Sequence, residues 1–165
     1  MATKPNGRIN KSGLSTLQKT QLRKTLKERQ SIKVLGSDYT HTQSNTTLAN
    51  ISGFKLPVEA GKTYVFTASL IATGNASGGA KFAITGPTAS FLIGQVQVDG
   101  VSTSAVSLAT LVGGATAAAV EIVTTGTYKA TANGDFQVQA AQNASHASDS
   151  KILAGSFIRL EEVLA

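Results

Sequence analysis

"TYVFTASLIA", residues 63–72, is the stretch on which the fold turns. Tyr64, Phe66, Ala68, Leu70 and Ala72 fall on one side of a two-residue period, with Val65, Thr67, Ser69 and Ile71 on the other. Successive side chains of a strand point to opposite faces, so this alternation predicts a β-strand with one face in a core. "GDFQVQAAQ", residues 134–142, repeats the pattern: Phe136, Val138 and Ala140 face one way and Gln137 and Gln139 the other. "GSFIRLEEV", residues 155–163, sets Phe157 against Ile158, Leu160 and Val163, with a less regular period.

Outward from these segments, short β-type runs alternate with turn residues. Strands are expected at 46–51, 63–73, 80–85, 89–98, 103–112, 118–125, 127–132, 135–142 and 151–163. Many short strands with regular turn signals predict an all-β, antiparallel sandwich or barrel. "GNASGG" (74–79), Asp99-Gly100 and Asn133-Gly134 are turn chemistry, the last two suited to type I′ hairpins. Pro57 and Pro87 sit at run edges, where a missing N–H is tolerated. Ala, Gly and Ser are frequent in the strands. Such thin faces favour close subunit contact, hence an oligomer whose partners cover edges and apolar faces.

The chain has 165 residues and no cysteine. That length sustains one hydrophobic core without staples, and neither a disulfide framework nor a thiolate metal site is available. The start, "MATKPNGRIN", is polar and lacks the apolar region of a signal peptide. "VSLATLVGGATAAAVEIV" (106–123) has the length of a membrane span, but Gly113-Gly114 interrupts it and Glu121 would lie in lipid. Two strands joined through the Gly-Gly pair fit better, so no membrane partner is expected.

Charge divides the chain in two. Residues 1–36 hold nine Lys or Arg against Glu28 alone, a net +8; residues 37–165 hold six basic against eight acidic residues, a net −2. The high pI therefore describes an N-terminal arm, the pattern of an interaction tail. The expected organisation is a basic arm over 1–36 with a short helix, a linker over 37–45 and a β domain over 46–165. Within the arm, Ser12 or Ser15 is placed to cap a helix from about 14 to 30. Leu14, Leu17, Leu22 and Leu26 make a loose apolar seam beside Lys19, Arg23, Lys24, Lys27 and Arg29. A lone helix of that length is marginal in water, so a partner or docking surface is needed to order it. An acidic protein surface suits the seam and the cations together. The arm has no aromatic residue for base stacking and no base-reading motif, so nucleic acid is not the expected partner.

Residues that could carry chemistry are sparse. His41 and His146 are the only imidazoles. His146 and Asp149, three apart, mimic a relay pair, but no G-x-S-x-G nucleophile elbow accompanies them. Glu161 and Glu162 are adjacent and in a strand would point to opposite faces, poor geometry for an acid–base pair. No spacing of metal ligands and no phosphate-binding glycine loop is present, so neither a cofactor nor an enzymatic activity is expected.

"FKLPVEAGKTYVF" (54–66) resembles the apolar–Pro–Val–x–Ala–Gly–x–x–Tyr–x–Phe stretch of virion structural proteins of tailed bacteriophages. "FAITGP" (82–87) is similar to that family's next strand and turn, and "YKATANGDFQVQAAQNASHASDSKILAGSFIRLEEV" (128–163) to its closing segment. The resemblance spans roughly 45–164 and excludes the arm. It implies a jelly-roll-like β-sandwich, usually trimeric, displayed on the phage particle as a capsid decoration (cement) protein, a head fibre or a tail-fibre tip. Read so, the arm residues Leu14, Leu17, Lys19, Leu22, Arg23, Lys24, Leu26, Lys27 and Arg29 would bind the major capsid protein. Pro57, Gly61, Tyr64 and Phe66 would be a fold signature rather than ligand residues. The protein would be made in the host cytoplasm and located on the capsid surface.

Overall fold

The computed structural model describes residues 15, 17–19, 30–75, 77–98, 101–103, 112–113 and 119–163. Among these, twelve strands occur: β1 (Gln30–Val34), β2 (Tyr39–Thr40), β3 (Ala49–Val58), β4 (Thr63–Thr73), β5 (Ala80–Thr85), β6 (Ala89–Val98), β7 (Val101–Thr103), β8 (Val112–Gly113), β9 (Val120–Ala130), β10 (Gly134–Gln142), β11 (Lys151–Ile152) and β12 (Phe157–Val163). All pairings are antiparallel.

Two sheets form. Sheet A runs β1-β12-β4-β9-β6-β7, with β11 bridging β2 and the end of β4; sheet B runs β3-β10-β5-β8. Taking β1, β3, β4, β5, β8, β9, β10 and β12 in chain order, the first, third, sixth and eighth lie in sheet A and the other four in sheet B. The sheet orders 1-8-3-6 and 2-7-4-5 that result are those of a jelly roll, the double-sheet answer to the edge-strand problem. The β6–β7 hairpin widens sheet A beyond β9. The all-β, jelly-roll-like antiparallel sandwich expected above is therefore the observed fold.

The core lies between the sheets and follows the two-residue period. Tyr64, Phe66, Ala68, Leu70 and Ala72 of β4 are all buried, as are Phe136, Val138 and Ala140 of β10. Ile158 and Leu160 are buried from β12. Phe66 and Phe136 pack across the sheets with ring centroids 5.2 Å apart, and Tyr128 meets Phe136 edge-on at 5.4 Å. The register sets Leu160, Phe66, Gly126 and Gly94 in one row across β12, β4, β9 and β6. A Cβ on Gly94 would sit 2.9 Å from the Thr125 carbonyl oxygen and 3.3 Å from Phe66 Cζ. The missing side chains leave room for the Phe66 ring.

Five expectations change; the strand expected over 151–163 is two, β11 and β12, parted by the 153–156 turn in which Gly155 has φ +91°. Residues 30–34, placed in the arm, are β1, the first strand of the jelly roll; Gln30 to Val34 pair with Glu161 to Phe157. The partner strand is more than 120 residues away in sequence, so no local signal marks it. The linker over 37–45 is likewise partly built in: β2 pairs with β11, and His41 is buried. The two strands expected at 118–125 and 127–132 are one, β9, in which Gly126 keeps the ladder by pairing with Phe66 and Gly94. Asn133-Gly134 is not a type I′ hairpin: it links β9 of sheet A to β10 of sheet B, and neither residue has positive φ. Of the expected turns at Asp99-Gly100 and Gly113-Gly114, only Gly113 is described, as a strand residue opposite Lys81; the rest, with most of the expected strand 103–112, lies outside the described residues.

The register also gives the sandwich two ends. Thr63 pairs with Val163 and Lys129 at the base, together with the 59–62 and 131–133 turns. Thr73 pairs with Lys151 at the other end, where the 41–48, 74–79 and 143–150 loops gather. The eleven residues of β4 separate the ends by roughly 35 Å.

Candidate attachment surface

β1 starts near the base, where Gln30 pairs with Glu161, two residues in from the Val163–Thr63 pair. Gln30, where the described strand begins, is therefore at this end of the body. Of the arm residues singled out in the sequence, Leu14, Leu22, Arg23, Lys24, Leu26, Lys27 and Arg29 lie outside the described residues. Leu17 and Lys19 belong to one helical turn, Leu17–Lys19. Ser15 is a cap, and Ser12 lies outside the described residues. The Gln18 N–H donates to Ser15 Oγ (3.2 Å) and the Ser15 N–H to Gln18 Oε1 (2.9 Å). This S-x-x-Q exchange is a capping box, and the Lys19 N–H closes the first turn onto the Ser15 carbonyl at 2.9 Å. Leu17 is 69 % exposed.

Three of the four signature residues meet near the base. Gly61 has φ +82°, a left-handed conformation that a Cβ disfavours, and lies in the turn from β3 to β4. Its N–H donates to the Ala130 carbonyl (2.9 Å), and the Ala60 N–H to Asn133 Oδ1 (2.7 Å), so the 59–62 and 131–133 turns are tied together. Tyr64 is buried, and its hydroxyl accepts the Glu59 N–H at 3.0 Å. Pro57 lies in β3, the edge strand of sheet B, where no ladder bond is lost. Phe66 is apart from them, in the core.

Beside this turn is a cavity of about 210 Å³ lined by Ser31, Pro57, Glu59, Lys62, Tyr64, Leu160 and Glu162. Lys62 Nζ lies 2.9 Å from a Glu59 oxygen and 3.2 Å from a Glu162 oxygen. Hydrogen bonds to Glu59 and then to Glu162 raise the Lys62 pKa, so the ammonium stays protonated and both carboxylates stay engaged. The arrangement ties the β3–β4 turn to β12 beside the start of β1. Sequence reasoning missed Lys62, Glu59, Glu162 and Ser31, because the trio depends on contacts across up to 100 residues.

The other chemistry-bearing residues are separated. His146 Nδ1 accepts the Ser148 N–H at 3.0 Å, and Asp149 Oδ1 accepts from Gln43 Nε2 at 2.8 Å, so the two do not form a relay. His41 is 3 % exposed, packs edge-on to Tyr39 at 5.4 Å, and has no well-formed hydrogen bond at either ring nitrogen. Burial pushes its pKa down to about 4, with the Ala140 backbone opposing. Among the described residues no group of His, Asp and Glu is arranged to hold a metal ion, and no helix is long and apolar enough to cross a membrane. The base of the body, with the Lys62 ion pairs and the start of β1, is thus the feature that the geometry singles out; compared with known proteins, the chain matches no family model and no curated protein.

Proposed function

We propose that this chain is a bacteriophage capsid decoration, or cement, protein. The body stands on the shell as a homotrimer above junctions between subunits of the major capsid protein. The arm spreads from the base and clamps neighbouring subunits, with Leu14, Leu17, Leu22 and Leu26 in shallow grooves and Lys19, Arg23, Lys24, Lys27 and Arg29 on acidic patches. The observation that supports this reading is a jelly-roll sandwich whose first strand begins at the base, preceded in sequence by 29 residues with eight Lys or Arg against Glu28 alone. Single surface ion pairs contribute little. Three arms acting together raise the effective concentration and turn weak contacts into firm attachment. The shell is held against internal DNA pressure, the protein resides on the capsid surface of the virion, and its role is structural rather than enzymatic.

The test is decoration of purified shells by the full chain and by a chain starting at residue 30. Saturation by the full chain and loss of occupancy without the arm are expected; equal occupancy by both overturns the reading. Copy number in virions is a second test, with hundreds expected. A second reading, a head-fibre or tail-fibre receptor tip, is favoured by one observation: the 41–48, 74–79 and 143–150 loops lie at the end opposite the arm. About a dozen copies per virion, with the body binding host cells and competing with infection, would support it over the first.

A further inference from the structure

The outer faces of the two sheets differ in character. On sheet B the outward residues include Asn50, Lys55, Asp135, Gln137, Gln139 and Lys81, and Lys55 Nζ pairs with Asp135 at 2.6 Å. On sheet A the outward residues are largely β-branched. Among the described residues, every exposed large hydrophobic of the body is there: Ile32 (57 %), Val34 (52 %), Val65 (43 %) and Val163 (44 %). The register makes them neighbours on three consecutive strands. Val34 lies opposite Phe157, Ile32 opposite Arg159, Val65 opposite Glu161, and Val163 opposite Thr63. Val123 and Thr125 of β9 continue the surface.

We propose that this outer face of sheet A is the surface on which a second copy of the chain docks. Charge argues for a like copy over other occupants. Arg159, Lys129, Glu121 and Glu161 mix both signs on the face, so it has no net field to select an acidic shell or a polyanion, whereas mixed charges can pair between identical copies. Area argues the same way. The five strands β1, β12, β4, β9 and β6, at about 4.8 Å spacing and about 3.3 Å per residue, cover roughly 700 Å², close to the roughly 800 Å² per partner of a standard interface. The proposal gives a location to the self-association that the proposed function assumes. It is tested with no shell present, so it can fail while arm-mediated attachment stands.

The experiment measures the mass of the full chain in solution across a concentration series. The native chain is expected to reach at least twice its 16.9 kDa. The double variant Ile32→Glu, Val65→Lys is expected to stay at one chain. Each new charge lies opposite a partner of the other sign, Arg159 or Glu161, so the folded body is retained. Gln137→Lys on sheet B should associate like the native chain. A native chain that stays monomeric at high micromolar concentration, or a folded double variant that associates as the native chain does, overturns the proposal. If the double variant does not fold, single cysteines in this cysteine-free chain decide. Maleimide should react more slowly at Val65→Cys than at Gln137→Cys in concentrated protein and equally on dilution; equal rates at all concentrations overturn it.

Discussion

His41 makes the packing at the loop end measurable through pH. Its ordinary pKa of 6.5 falls to about 4 in the folded chain because burial penalises the charged ring. The unfolded chain takes up the proton as pH drops through 6.5, while the folded chain does so only near 4. The stability contributed by the neutral ring is thus fully present above pH 6.5 and lost as pH falls to 4. At about 1.4 kcal/mol per unit, the difference between the two values amounts to about 3 kcal/mol. That is a large part of the roughly 5–15 kcal/mol of an ordinary domain. The assay is urea unfolding at pH 7 and pH 4 for the native chain and for His41→Phe, which keeps an aromatic ring against Tyr39. Carboxylates titrate in the same window, so the difference between the two chains isolates the imidazole. The variant should lose about 3 kcal/mol less than the native chain on acidification. Equal acid losses in both chains, or a His41 titration near 6.5 by NMR, would refute the reasoning.

Three further outcomes follow from the geometry. Gly94→Ala should lower stability by about 1–3 kcal/mol in denaturant unfolding, since its Cβ would press on the Thr125 carbonyl and the Phe66 ring, while wild-type-like stability would show that the row yields freely. Gly61→Ala, in open space but at φ +82°, should lose about 1–2 kcal/mol through backbone strain alone, read from the same unfolding curves. Ser15→Ala should remove about 1 kcal/mol of helix stability from a peptide spanning residues 12–30, seen as reduced helicity by circular dichroism.

What could be read from the sequence was what local period controls. Tyr64 to Ala72 and Phe136 to Ala140 announced their buried faces because a strand's alternation survives whatever it pairs with. The jelly-roll order rested on resemblance, since strand order is set by contacts such as Gln30 with Glu161 that leave no local trace. β1 was hidden for a second reason: its neighbours in sequence are basic and helix-favouring, so its five residues passed as arm. Gly126 misled because glycine breaks most strands; here it stays in the ladder as the register partner of Phe66 and of Gly94. The candidate site was half legible. Gly61 and Tyr64 stood out, but Lys62 between Glu59 and Glu162 exists only once β3, β4 and β12 converge.

Because Gln30 opens β1, any tension on the chain before it enters the body through a five-residue ladder on β12. That ladder is a mechanical fuse. A pull strong enough to tear β1 away would strip the first strand from the jelly roll before it reached Phe66 and Phe136.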